Sequence, residues 1–223
     1  MKRWAILWAV AVFSGALLLG APVSFWARWV NWPDGWQPQA LSGSLWQGQA
    51  AQLGPLGPVS WQLALVGPRA EVRAGALQRQ WHLQIEGWPW QWQARLKDAG
   101  SLVTPEQPFS LEGDWQGHIE VSGRGRRCLS STGSLRATQL DLLAPWTMPL
   151  GQAELTLDCQ DHTHLLARLE RAGQHQIAVD VQLAARTTEI DGRVASNSQL
   201  SGLLRQIGVL EQGQQAFQTR FTW

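Results

Sequence analysis

Residues 81–96 read W-H-L-Q-I-E-G-W-P-W-Q-W-Q-A-R-L, and their alternation decides the fold class. Trp81, Leu83 and Ile85 alternate with His82, Gln84 and Glu86. Trp88, Trp90, Trp92, Ala94 and Leu96 then alternate with Pro89, Gln91, Gln93 and Arg95. A period of two means strands with one buried and one wet face. The same period recurs at Val59, Trp61, Leu63 and Leu65, at Ala153, Leu155, Leu157 and Cys159, and at Ile177, Val179, Val181 and Leu183. It closes the chain at Phe217, Thr219, Phe221 and Trp223. One-sided burial suits antiparallel sheets, and the Gly and Pro between these runs supply their turns. The expected fold is therefore mainly β: an antiparallel, curved sheet. Trp88, Trp90 and Trp92 read as a stripe on its core side, with an interaction face as the competing reading.

One segment breaks the period. Leu200, Leu203, Leu204 and Ile207 fall at helical spacing, Asn197 or Ser198 can cap the start, and Gly208 can end it. This short C-terminal helix should lay its apolar stripe on the sheet.

Working outward, the amino terminus is of another kind. Lys2 and Arg3 precede an uncharged stretch from Trp4 to Trp26, long enough to span a hydrocarbon core as a helix. The charge order places the head in the cytosol. Trp26, Trp29, Trp32 and Trp36 follow at the outer interface, where indoles are favoured. The alternative is a signal peptide cleaved after Ala21, for which Leu19 is a poor residue. Both readings export the remainder. The layout is a cytoplasmic head at 1–3, a transmembrane anchor at 4–26, a linker at 27–40 and a periplasmic β-rich domain at 41–223. Gly43-Ser44-Leu45 and Gly133-Ser134-Leu135 echo one another and suggest duplicated halves at about 41–101 and 114–223, separated by the stretch between Leu102 and Gly113.

Two cysteines, Cys128 and Cys159, make an even pair in an exported domain, so a disulfide is expected over two free thiols. A hairpin turning near Pro145–Pro149 sets Cys159 opposite roughly Ser134, so the bridge requires Ser130–Gly133 to fold back or bulge.

Composition narrows function by exclusion. Charged residues are 16% of the chain and net charge is +1. A typical soluble domain has about 25% charged residues. The basic residues gather only at Arg124, Arg126 and Arg127, which read as a solvated loop or a lipid-headgroup contact, and nucleic acid is not an expected partner. Tryptophan is abundant at 15, with no tyrosine. No phosphate-binding loop, nucleophile elbow or zinc-helix motif occurs. His162 and His164 share a strand face next to Asp161, but a closed zinc site needs four ligands and no third is evident. No catalytic residue, metal or cofactor is expected.

At Leu41 the chain reads L-S-G-S-L-W-Q-G, followed by V-S-W at Val59. Ser42, Gly43, Leu45, Trp46 and Gly48, then Val59 and Trp61, resemble the signature of the type II secretion system protein N family, also called general secretion pathway protein N. I-D-G-R-V at Ile190 to Val194, the short helix and a final strand extend the likeness. The resemblance implies a single-pass inner-membrane protein of a Gram-negative bacterium, whose periplasmic sheet is similar to AsmA-like envelope proteins. It implies contacts with other secretion components in the inner membrane and periplasm, and with lipid through the anchor. The Trp crowding at residues 88–92 departs from the family pattern. The residues make sense on their own. Gly43 and Gly48 suit a close backbone approach, and Trp46 packs inside the fold or meets a partner. The leading expectation is a non-catalytic accessory component that helps folded exoproteins cross the outer membrane. The alternatives are an AsmA-like protein handling lipid and a carbohydrate-degrading enzyme, which would need a carboxylate pair across a cleft.

Overall fold

A computed structural model describes residues 2–33, 35–64, 66–102, 110–144, 146–160, 163–206 and 208–222. Leu65, Pro145, Asp161, His162, Ile207, Trp223 and most of the stretch between Leu102 and Gly113 lie outside the described residues.

The chain opens with helices α1 (Lys2–Gly20) and α2 (Val23–Ala27). Strands β1 (Pro38–Gln39), β2 (Ser42–Gly43), β3 (Gln47–Ala50), β4 (Gln52–Leu53), β5 (Val59–Ala64), β6 (Arg69–Ala76), β7 (Arg79–Trp88) and β8 (Gln91–Ser101) follow. Then come β9 (Ser110–Arg124), β10 (Arg127–Ala144), β11 (Met148–Asp158), β12 (His164–Arg171), β13 (His175–Gln182) and β14 (Thr187–Val194). Helix α3 (Gln199–Gln206) and β15 (Ala216–Thr222) close the chain.

The expected antiparallel sheet is present and extends further than the sequence indicates. Among the described residues thirteen strands form one sheet in the order β15 to β5, then β3 and β2. Each is antiparallel to its neighbours. β1 and β4 form a separate two-stranded ribbon, so the end of the stretch read as a linker is folded onto the domain. The sheet passes without a break across the proposed boundary of the halves, because β8 pairs with β9 from Trp92–Gly123 to Lys97–His118.

Register sorts the side chains. Trp61, Val72, Leu83, Leu96 and Ile119 lie directly across from one another, as do Ala70, Ile85, Ala94 and Val121. Gln62, Glu71, Gln84, Arg95 and Glu120 occupy the opposite face. A one-residue slip would exchange the faces, so the pattern fixes the register.

Among the described residues α3 covers the apolar face toward the C-terminal end. There Leu200 and Leu204 of α3 pack with Ala137, Leu142, Met148 and Val194. The Ser198 hydroxyl accepts the Leu200 N–H at 3.3 Å as the expected cap. Past the helix, Gly208 and Val209 donate to the carbonyls of Arg205 and Leu204 at 3.1 and 2.9 Å, consistent with the expected stop.

The expected bridge joins Cys128 and Cys159, with Cα atoms 5.3 Å apart. The β9–β10 ladder shifts register between Cys128 and Ser130, so the irregularity lies just before the stretch where the sequence required one.

The amino-terminal reading needs correction. Residues 4–26 do not form one helix: α1 ends at Gly20, and Pro22 caps the separate α2. Proline lacks an N–H and disfavours helical geometry in the residue before it, so the helix breaks there. Pro22 also bridges to Ser44 of the signature hairpin. Among the described residues no helix is long and apolar enough to cross a membrane. α1 nonetheless exposes Trp4, Ile6, Leu7, Trp8 and Phe13.

One interaction escaped the sequence reading. Arg79 donates to both Asp98 oxygens and, at 2.9 Å, to the Gly113 carbonyl, which ties β7, β8 and β9 together. Its side chain is 13% exposed and that of Asp98 14%. Removing one partner of a buried pair typically costs about 3–5 kcal/mol. Arg79→Ala should therefore lower unfolding free energy by roughly that amount, and Arg79→Met with Asp98→Leu should restore most of it. Denaturant titration of the three proteins checks the pattern.

Candidate functional site

The signature residues form a tight hairpin. Ser42 and Gly43 pair with Gln49 and Gly48, and Ser44 to Trp46 make the turn. The Ser44 hydroxyl accepts the N–H groups of Trp46 and Gln47 at 3.2 and 3.3 Å, which explains a short polar residue at that position. Gly48 lies directly across from Trp61. A Cβ on Gly48 would collide with the Trp61 ring, and the indole N–H reaches the Leu45 carbonyl at 3.2 Å. The signature is thus a glycine platform covered by an aromatic from the next paired strand, an arrangement that offsets the weakness of glycine in a sheet. Trp46 is half-buried, and its indole N–H is buried without a partner among the described residues.

The arrangement recurs. Trp92 lies across from Gly123, a Cβ there would enter its ring, and its indole N–H donates to the Gly125 carbonyl at 3.0 Å. Phe217 covers Gly192 in the same way at the far edge.

This geometry corrects the reading of the Trp stripe. Trp88 pairs with Gln91, and Pro89–Trp90 form a two-residue turn. The chain reverses there, so Trp88 and Trp92, of equal parity in the sequence, fall on opposite faces. Trp92 shares the apolar face with Ile85 through its pairing with Gly87, whereas Trp88 shares the polar face with Glu86. Trp88 is 50% exposed and Trp90 63%, and their rings stack with centroids 5.1 Å apart. Only Trp92 acts as a structural side chain.

The remaining candidates separate. Arg124, Arg126 and Arg127 are exposed around the β9–β10 turn. His164 meets Asp180 at 2.9 Å across β12 and β13, while its proposed companions Asp161 and His162 lie outside the described residues. Among the described residues no group of three metal-ligating side chains occurs. A hollow of about 290 Å³ opens on the polar face between Gln84, Gln93, Arg95, Glu120 and Ser130. Its charges are matched internally: the hydrogen bond from Arg95 holds the Glu120 carboxyl below its ordinary pKa, with the charge of Arg95 adding to the effect. This is a cross-strand ion pair on a sheet surface.

Trp92→Ala should destabilise the protein by about 2 kcal/mol, from lost apolar cover and one lost hydrogen bond. Trp88→Ala and Trp90→Ala should each change stability by about 0.5 kcal/mol or less, as exposed positions do. Urea midpoints of the three variants would show it, and equal losses would restore the core stripe.

No curated protein and no solved structure matches the chain. The family model of type II secretion system protein N matches residues 34–220, from the Trp-rich stretch before the signature to the last strand. The chain belongs to the type II secretion system protein N family.

Proposed function

We propose that this protein is a non-catalytic accessory component of the type II secretion apparatus, supporting passage of folded exoproteins across the outer membrane. The observation that carries the reading is family membership over residues 34–220. In this reading α1 holds the chain in the inner membrane with Lys2 and Arg3 on the cytoplasmic side, and the sheet stands in the periplasm. The exposed apolar surface of α1 and the basic residues at its start support that placement. The disulfide is consistent with an oxidising compartment. Partners are other secretion components, and the open edge of β15 is a surface onto which a strand can add.

One observation favours a second reading. The cluster closed by α3 ends at Leu111 and Trp115 of β9, and the apolar rows of β5 to β8 lie outside it, mostly half-buried, with Val59 buried and Leu63 exposed. An open apolar sheet face suits acyl chains, as a lipid-handling envelope protein requires.

Deleting the gene, or only the segment encoding the sheet, should leave exoproteins processed but trapped in the periplasm. Fractionation and immunoblotting read this directly. Normal secretion with altered outer-membrane permeability would select the lipid reading instead.

A further inference from the structure

In an antiparallel meander, successive turns alternate between the two ends of the sheet. The turns β2–β3, β5–β6, β7–β8 and β9–β10 therefore share one end. The bridge from Pro22 to Ser44 brings α1 and α2 to that same end. The turns there expose what a folded domain usually hides. Val66 is 98% exposed in the β5–β6 turn, the stacked Trp88 and Trp90 form the β7–β8 tip, and Leu129 is 61% exposed near the start of β10. The tips of β7–β8 and β9–β10 are locked together: the Gly125 N–H donates to the Pro89 carbonyl at 2.6 Å, and Trp92 donates to the Gly125 carbonyl at 3.0 Å. This holds the stacked indoles beside Arg124, Arg126 and Arg127. Among the described residues none of the three arginines is in an ion pair, although nearby Arg69 is matched by Glu86. The opposite end exposes Trp146 but has no such group of arginines among the described residues.

We propose that this end of the sheet rests on an anionic bilayer surface, with Trp88 and Trp90 at headgroup level and Arg124, Arg126 and Arg127 on lipid phosphates. Indoles partition to the membrane–water interface. Guanidinium matches phosphate geometry bidentately, and basic groups near an anionic leaflet gain from its surface potential. The exposed aliphatic tips add apolar contact, and the shared end with α1 makes the site continuous with the attachment proposed above. The strands then run steeply to the membrane plane. The inference rests on the proposed attachment through α1, and one experiment separates the two.

Trp90→Cys introduces a lone thiol, since both native cysteines are in the disulfide. The full chain is labelled there with a fluorophore and reconstituted into vesicles of phosphatidylcholine with phosphatidylglycerol, or of phosphatidylcholine alone, each containing a headgroup nitroxide quencher. Ala172→Cys, an exposed turn at the opposite end, is the control. Flotation reports attachment. The expected result is flotation throughout. Quenching at position 90 should be strong with phosphatidylglycerol and lost in phosphatidylcholine alone. It should also be lost when Arg124, Arg126 and Arg127 are all changed to Gln, and position 172 should stay unquenched. A chain that floats with position 90 unquenched, or quenched equally with position 172, overturns the docking and leaves attachment standing. Quenching that ignores both lipid charge and the arginine changes overturns it too. A chain that fails to float removes both readings. A crosslink from an unquenched position 90 to another envelope protein in cells would assign the tip to a protein and overturn the proposal.

Discussion

A sheet of thirteen strands has far more apolar face than one short helix can cover, and this shortage governs the architecture. Most domains bury a sheet face under a second layer. Here α3 supplies that layer only over the β9 to β15 end. Elsewhere the cover comes from within the sheet. Trp61 and Trp92 each lie over a glycine on the adjacent strand, where the missing side chain leaves room for an indole to lie flat. Each indole then donates to a carbonyl beyond its glycine, so its polar atom is satisfied without water. Two of the tryptophans are used in this way: a large flat side chain does part of the work of an absent helix. Trp81, packed edge-on against Trp115 at 5.2 Å, connects this region to the part that α3 closes.

The opposite face is built on charge. Arg95 with Glu120, Arg136 with Glu154, and Arg220 with Glu189 pair across adjacent strands. Exposed pairs contribute little energy each. Like charges directly across from one another are unfavourable, so the pairs favour the correct register over a slipped one. The hydrogen bond from Arg136 lowers the Glu154 pKa, and those from Arg220 and Gln218 lower that of Glu189, so these carboxylates keep their charge to lower pH than an unpaired glutamate. Arg79 differs because it shares the parity of Trp81 and Leu83, and Asp98 that of Leu96, so alternation puts both charges on the apolar face, where they pair.

Much of this was legible in the residues. Strands β5, β7, β11, β13 and β15 alternate large apolar and polar side chains, so their period shows directly. β6 did not show it, because its inward positions Ala70, Val72 and Ala74 include two small residues whose contrast with their neighbours is low. The long β10 is rich in Ser, Thr and Gly and carries register shifts, which break any fixed period. The α3 stripe was readable because Leu200 and Leu204 lie one helical turn apart. The Trp88–Trp92 reading failed because a two-residue turn preserves alternation along the chain while reversing the strand, so period alone cannot reveal the turn. The role of Gly48 was visible as a close approach, but its partner Trp61 belongs to another strand, and only the register joins them.

The signature is therefore the edge copy of a device that partly covers the β5 to β9 region, and the same region brings the Trp and Arg tips to the end where the amino-terminal helices join. The central claim is that aromatic cover makes this part of the sheet as secure as the part beneath α3. Amide hydrogen exchange on the full chain tests it most directly, because protection reports local opening. The account predicts that amides of β7, β8 and β9 exchange as slowly as those of β12 and β13. Exchange in β7 to β9 faster by orders of magnitude, with β12 and β13 still protected, would contradict it.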